Sequence, residues 1–392
     1  MYTTIFVMVF LRFLTLTTAE NIPEDAKLLV PQLIRKYGYA CEVHRVVTTD
    51  GYILTLHRIP PKTGSSKGPV VLQHGIIQSS ADFIISGPEK ALGYILADAG
   101  YDVWLANSRG NTYSRSHTRL TPNDKEFWNF SWHEMGVYDA TATVDYILAQ
   151  TSKSNLYFVG YSQGTTVFYV MCSERPEYNR KIKLHISLAP TAYMNHITSP
   201  IMLMLAQFSI SLDLLVPFIG EFELLPSSMF MALIGSLFCS DGTLTQPICT
   251  NLLFAIAGFD EQQMNATLLP AITGHTPAGT SVKQFMHYAQ LIRSGKFQRF
   301  DKGFIQNFIS YGSFEPPNYR VENIVAPVYI YKGRNDWMSN EIDVNRLRNR
   351  LPNVKSEVWI AFPKFNHIDY VYAINASALV YNLILSVFGE NP

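Results

Sequence analysis

The chain has 392 residues, 47 % of them apolar and 16 % charged, which is enough to bury a large core with an inserted subdomain and excludes a disordered chain. Lys+Arg and Asp+Glu are both 31, so there is no basic field to attract nucleic acid and no acidic tail. The balance favours an uncharged or hydrophobic partner.

Ile5 to Ala19 is an apolar stretch, interrupted by Arg12, that ends in the small residues Thr17-Thr18-Ala19 before Glu20-Asn21. This is the pattern of a secretory signal and its cleavage site, and the run is short for a spanning helix. A signal peptide over 1–19 is expected, with a mature secreted chain that begins near Glu20 and carries no transmembrane segment. In that oxidising compartment Cys239 and Cys249 can close a small loop, worth about 2–3 kcal/mol by chain entropy. Cys172 reads as a buried small apolar residue and Cys41 as a free thiol. His133-Glu134 lacks a second histidine at 137 and no C-x-x-C occurs, so no metal site is indicated.

After the signal, Asp25 to Tyr37 has Leu28, Leu29, Leu33 and Ile34 at helical spacing. Glu42 to Thr48 and Tyr52 to Arg58 alternate apolar with polar around Thr49-Asp50-Gly51, which predicts a hairpin. Pro69 to Leu72 is a buried-type strand ending in Gln73-His74-Gly75, the place after an early strand where a second oxyanion donor is normally found. His74 reads there as a loop histidine that supports the backbone. Leu92 to Ala99 is predicted as a helix, Tyr101 to Leu105 as a strand and Tyr138 to Gln150 as a helix.

Leu156 to Val159 then runs into Gly160-Tyr161-Ser162-Gln163-Gly164, with a helical stretch from Thr165 to Ser173 behind it. Strand, G-x-S-x-G and helix in this order form a nucleophile elbow. The serine sits on a sharp, strained turn, and glycines on either side remove Cβ atoms where strand and helix cross closely. The amide of Gln163, at the helix start, is free to face an oxyanion. Lys183 to Leu188 is the next strand, closed by Ala189-Pro190. Alternation of strand and helix predicts an α/β fold with a mainly parallel sheet covered on both faces.

From Ser199 to about Phe308 that rhythm breaks. Apolar pieces at Ile201 to Phe208, Leu212 to Ile219 and Met229 to Phe238 are cut by Pro217, Gly220, Pro226 and Gly235, and Asp213 and Pro217 count against a membrane span. One reading is a helical subdomain with an ordinary core. The sharper one is a cap whose inner face lines an acyl-chain site, with a movable lid. Sheet rhythm returns at Ala326 to Tyr331, ending in Lys332-Gly333-Arg334-Asn335-Asp336. Glu357 to Phe362 is the last predicted strand, followed by His367 and a helix from Ile368 to Phe388.

Ser162, Asp336 and His367 each follow the carboxyl end of a predicted strand, in the chain order Ser, Asp, His, where open α/β sheets build their sites. The chemistry assigns roles: His367 takes the Ser162 proton and returns it to the leaving alcohol, while Asp336 holds the imidazole tautomer. Asp343 falls on the helix after Asp336, and Asp369 is expected to cap the last helix.

Several longer stretches are more specific than the elbow. PVVLQHG from Pro69, ADAGYDVWLANSRGNTYSR from Ala97, GYSQGTT around Ser162, HTPAGTSV from His275 and Asn366-His367-Ile368-Asp369 together resemble the acid lipases of the gastric and lysosomal type. The resemblance spans nearly the whole chain after the signal. It implies an α/β-hydrolase core over 20–198 and 309–392, with a helical cap and lid over 199–308. It also implies cofactor-free hydrolysis of neutral lipid esters, triacylglycerol or cholesteryl ester, at a lipid–water interface by a secreted or lysosomal enzyme working in acid. A monomer is expected. The same resemblance places the oxyanion hole at Leu72 and Gln163 and a cap disulfide on Cys239 and Cys249.

Departures are few. Tyr161 stands where vertebrate members usually have histidine, which suits an invertebrate member, and Gly333-Arg334-Asn335 replaces a more glycine-rich approach to the acid. Neither change is expected to touch a triad atom. Ala257 replaces a free cysteine common in the cap, so thiol-directed inactivation is not implied. Asn129, Asn265 and Asn375 open N-x-S/T sequons; Asn129 sits among aromatics and Asn375 in a predicted helix, so Asn265 is the favoured glycan site. The alternatives are a carboxylesterase confined to short, soluble esters and a non-catalytic lipid-binding homologue.

Overall fold

The computed structural model describes residues 23–62, 64, 66–207, 223–224 and 246–392. The expected signal over 1–19, the apolar pieces at 212–219 and 229–238 and the pairing of Cys239 with Cys249 lie outside the described residues.

Strands β1 (Glu42–Val47) and β2 (Tyr52–Ile59) form the expected hairpin, pairing from Glu42 with Arg58 to Val47 with Ile53. Its turn needs the positive φ of Gly51, 103°. There follow β3 (Pro69–Gln73), β4 (Asp102–Leu105), the short β5 (Ser116–His117), β6 (Leu156–Tyr161) and β7 (Ile182–Leu188). Later come β8 (Glu223–Leu224), β9 (Thr280–Ser281), β10 (Val328–Lys332) and β11 (Val354–Trp359). The main sheet runs in the order β1-β2-β4-β3-β6-β7-β10-β11, with β5 on β2, while β8 and β9 pair separately. All neighbours from β4 to β11 along this path are parallel.

Because side chains alternate across a strand, the central strands feed two cores. Val71, Phe158 and Ile330 face one layer with Val167, Val170, Val144 and Ile147 from the helices Gln163–Glu174 and Thr141–Thr151. Leu72, Val159 and Tyr331 face the other with Leu33, Tyr94, Val380 and Phe388. A sheet buried on both faces reads as continuous apolar strands, and each such side chain contributes about 1.5–3 kcal/mol when fully buried.

Three predicted elements differ. The helix over Asp25 to Tyr37 is two, Glu24–Lys27 and Val30–Lys36, the second starting with Pro31 in its first turn; proline lacks the N–H that a continuous helix needs there. The strand at Glu357 to Phe362 begins three residues earlier, because its register with β10 pairs Val328 with Val354 and ends with Lys332 on Trp359. The last helix is broken. Asp369–Tyr372 stops where Ala373 bridges to Met264 and the Ile374 amide donates to Gln263 at 2.9 Å, and the chain resumes as Ser377–Tyr381 and Asn382–Glu390.

Between Leu188 and Val328 the described chain is chiefly helical: 200–207, Gln246–Ala257, Leu269–His275, Val282–Ser294 and Phe304–Tyr311. Among the described residues no helix is long and apolar enough to cross a membrane.

Candidate active site

Ser162 lies between β6 and the helix Gln163–Glu174 with φ 52° and ψ −119°, a strained conformation costing about 1–3 kcal/mol that is retained because its surroundings over-determine it. The Ser162 amide donates to Leu188 O at 2.9 Å, and Thr165 Oγ1 donates to the Ser162 carbonyl at 2.7 Å. A Cβ on Gly160 would stand 2.7 Å from the Gly164 carbonyl carbon, and one on Gly164 would stand 2.9 Å from that of Gln73. Both positions therefore require glycine.

Two loops from the carboxyl edge of the sheet converge on this serine. His367 Nε2 is 2.9 Å from Ser162 Oγ, and its Nδ1 is 2.9 and 3.0 Å from the two oxygens of Asp336. All three side chains are buried, at 5 %, 4 % and 6 % exposure for Ser162, His367 and Asp336. Asp336 Oδ1 also accepts from the amides of Met338 at 3.0 Å and Ser339 at 2.8 Å, which fixes the carboxylate. Such an array can move a proton from the hydroxyl to the imidazole while the carboxylate steadies the other ring nitrogen.

Tyr161 corrects an expectation. Its hydroxyl donates to the His367 carbonyl at 2.9 Å and its ring lies 5.5 Å from the imidazole, so this departure does touch a member of the trio. Only the tertiary fold brings positions 161 and 367 together; the one local signal is that Tyr161 is the last residue of a fully buried strand.

Leu72 is a second correction. It lies inside β3, its side chain in the core and its carbonyl accepting from Ala106 N at 3.0 Å, so the sheet ladder holds it away from the serine. The chain approaches Ser162 at the loop after β3 instead: a Cβ on Gly75 would stand 3.2 Å from Ser162 Cβ. Ile76 and Ser162 line one apolar cavity with Thr191, Met194, Met202, Tyr288 and Met338. Among the described residues no acceptor engages the amide of Ile76. Gln163 is the first residue of its helix, where an N–H has no intrahelical partner.

His74 braces this loop. Its Nδ1 donates to Gly75 O at 2.7 Å, while Nε2 accepts from Ser108 N at 3.1 Å and Asn111 Nδ2 at 3.2 Å. Full burial pushes its pKa down to about 4, partly opposed by the Gly75 carbonyl, which keeps the ring neutral with the proton on Nδ1. Gln78 Oε1 accepts from the Gly75 amide at 2.9 Å.

Other candidates separate from the site. Asp343 lies on the helix Glu341–Arg350 and pairs with His196 at 2.8 Å. Asp369 does not cap its helix; the residue at the cap is Ile368, and Asp369 is buried with Oδ2 accepting from Asn366 N at 2.7 Å. Asn129 is exposed with Oδ1 accepting from Lys283 at 2.6 Å, and Asn265 is half-buried with Oδ1 accepting from Thr267 at 2.6 Å. Asn375 is exposed in a turn rather than a helix, because the last helix breaks there. His133 and Glu134 have local work, against Tyr319 OH at 2.8 Å and the Ser131 amide at 2.7 Å. Cys41 and Cys172 are free thiols, the second fully buried.

Comparison with known proteins identifies the family. Residues 30–87 match the family described as "Partial alpha/beta-hydrolase lipase region", and residues 68–373 match "alpha/beta hydrolase fold". The chain is 46 % identical to Lipase 3 of Drosophila melanogaster over 352 residues, 89 % of each chain. It is 40 % identical to the gastric triacylglycerol lipase of Rattus norvegicus, covering 94 % of this chain and 93 % of that one. To the lysosomal acid lipase/cholesteryl ester hydrolase of Homo sapiens it is 37 % identical, covering 93 % and 92 %. Among solved structures, a soluble variant of monoglyceride lipase from Saccharomyces cerevisiae shares the fold, with TM-score 0.54 at 14 % identity over 90 % of this chain and 98 % of that one.

Proposed function

Because the chain belongs to the acid lipase family of α/β-hydrolases and is a carboxylic ester hydrolase, secreted or lysosomal, we propose that Ser162 is acylated by triacylglycerol or cholesteryl ester. Ser162 Oγ attacks the ester carbonyl carbon as its proton passes to His367 Nε2. The negative oxygen of the tetrahedral intermediate faces the amides of Gln163 and Ile76, each such donor worth about 3–4 kcal/mol in the transition state. Collapse breaks the bond to the alcohol oxygen, which takes the proton from Nε2 and leaves. Water repeats the sequence: it loses a proton to Nε2, attacks the acyl carbon, and releases the carboxylic acid as Ser162 regains its proton. Asp336 holds Nδ1–H throughout and balances the imidazolium.

The observation that carries this reading is His367 reaching Ser162 Oγ on one side and Asp336 on the other in a buried setting. The apolar wall of Met194, Met202, Tyr288 and Met338 beside Ser162 supports an acyl chain in that space. Part of this wall, Met202 and Tyr288, comes from the insertion, which we read as a cap with a lid over 199–308.

The test is kcat/KM for triolein and cholesteryl oleate, with labelling by a serine-reactive phosphonate, in wild type and Ser162→Ala. Loss of both hydrolysis and labelling is expected. Hydrolysis near the wild-type rate in Ser162→Ala overturns the assignment.

A further inference from the structure

Where the helix Gln246–Ala257 ends, the chain passes between the loops carrying Asp336 and His367, and its carbonyls are taken up there. Ala257 O accepts from His367 N at 3.2 Å and from Trp337 N at 3.3 Å. Gly258 O accepts from Asn366 Nδ2 at 2.8 Å, and Phe259 O from Asn335 Nδ2 at 2.8 Å. Gly258 has φ 116°, and a Cβ there would collide with the Asn335 carbonyl, so the close approach depends on glycine. One short segment of the insertion thus holds both the proposed base and the proposed acid.

The next residue, Asp260, is only 1 % exposed. Its Oδ1 accepts from the amides of Gln262 at 3.0 Å and Gln263 at 3.3 Å, whereas the buried Oδ2 has no donor of its own. The group that interacts with it is the carboxyl of Asp369, 2 % exposed, two residues beyond His367. Two buried carboxyl groups set side by side do not both ionise readily, because little solvent is left to screen their repulsion. Burial first, then the negative charges of Asp260 and Asp336, pushes Asp369 up to about 8 against the pull of the Asn366 amide. Because Asp260 Oδ1 is already occupied by two amides and Oδ2 has no donor, the shared proton belongs on Asp369, whose O–H supplies the donor that Asp260 lacks.

Among the described residues, charged or titratable groups that act on the pair include Lys364, on the loop before His367, Asp336, and the phenols of Tyr161 and Tyr370. Burial holds both phenols neutral far above the physiological range. Lys364 acts on the Asp260 side, favouring its anion.

We propose that Asp260 and Asp369 form a one-proton clasp between the insertion and the His367 loop, and that this clasp positions His367 within reach of Ser162. The proposal rests on His367 being the general base. Both aspartates are positioning residues: neither touches the reacting atoms. When the shared proton leaves at alkaline pH, two anions face each other in a dry site, the segment from Ala257 to Asp260 is pushed off the loop, and the imidazole loses its alignment. The clasp confines full activity to pH values at which one proton is retained.

Asp369→Asn tests this, since its amide donates to Asp260 and accepts from Asn366 N without titrating. Its kcat/KM in acid is expected within a few-fold of wild type, with the alkaline limb moved up by at least about one pH unit. Asp369→Ala, which breaks the clasp, is expected to lose about tenfold or more in kcat with KM little changed, as misplacement of a reacting group predicts. Asp260→Asn should repeat the pH shift and keeps the test usable if the alanine variant fails to fold. An infrared band of a protonated carboxyl, present in wild type at neutral pH, should vanish in Asp369→Asn. A pH profile of Asp369→Asn that superimposes on wild type, or wild-type kcat in Asp369→Ala, overturns the clasp. An active Ser162→Ala instead overturns the catalytic assignment beneath it, so the two failures are distinguishable.

Discussion

The hydroxyl of Tyr161 donates to the main-chain carbonyl of His367 at 2.9 Å, which ties the residue before the elbow serine to the residue carrying the imidazole. This bond spans a fully buried space, and an unmade partner there costs about 1–3 kcal/mol. Tyr161→Phe removes the donor and keeps the ring. The expected outcome is a stability loss of about 1 kcal/mol and a several-fold drop in kcat with KM unchanged, read from denaturant melts and steady-state kinetics. Unchanged kcat and stability would reduce the tyrosine to a filler of space.

The glycines of the elbow make a sharper stability prediction. Gly164→Ala places a Cβ against the Gln73 carbonyl, with the carbonyl carbon at 2.9 Å, whereas a Cβ on Gly389 meets nothing within 4 Å. Gly164→Ala should unfold the protein or leave it in inclusion bodies. Gly389→Ala, in the helix Asn382–Glu390, should be neutral or stabilise by up to about 1 kcal/mol. Thermal unfolding of both variants decides; equal melting temperatures would contradict the packing of helix against β3.

The loop after β3, rather than Leu72, is expected to set the rate. Gly75→Ala introduces a Cβ at 3.2 Å from Ser162 Cβ and displaces the Ile76 amide. Loss of one oxyanion donor lowers kcat by about 10²–10³, so kcat should fall in that range while phosphonate labelling slows in parallel. Leu72→Val, by contrast, should cost about 1 kcal/mol of stability with kcat per folded molecule retained. Inverted results would restore Leu72 to the site.

Buried histidines set a direction for stability in acid. Burial alone lowers His57 to about 3, and burial, opposed by a carbonyl contact, lowers His185 to about 3. A folded-state pKa below the ordinary 6.5 means that the unfolded chain binds more protons between about 6.5 and 3. The stability these rings contribute is therefore present above 6.5 and is lost as pH falls through that window. His185 stacks on Phe168 at 3.6 Å between ring centroids, and its Nε2 is buried without a partner. His185→Phe should flatten the fall in unfolding free energy between pH 6.5 and 4 by a kcal/mol or more, on the order of one pKa unit per 1.4 kcal/mol. Parallel wild-type and variant curves would show that another group dominates.

Much of the architecture was legible locally. Apolar runs with glycine or proline at their ends located β3, β4, β6 and β7 to within a residue or two, because burial on both faces leaves no polar alternation. The order of Ser162, Asp336 and His367 was legible for the same reason: each sits just past a strand whose period is written in the sequence. Asp343 and Asp336 could be told apart because one falls on a helical stretch and the other at a strand end. The misplacements share a cause. The last helix was expected to run through Ala373 because its composition permits a helix, yet pairing with Met264 and Gln263 diverts it. Asn375 moves from helix to turn as a consequence.

What the sequence determined by itself was the α/β alternation, the glycines of the elbow and the types and order of the residues at the site, since these follow from periodicity and backbone sterics over a few neighbours. The tertiary structure alone decided that Ile76 and not Leu72 reaches the serine, that Tyr161 holds His367, and that Asp369 meets Asp260 rather than capping a helix. Each of these depends on which distant segments share one dry space, where desolvation and a single hydrogen bond decide a side chain's state, and no local pattern carries that information.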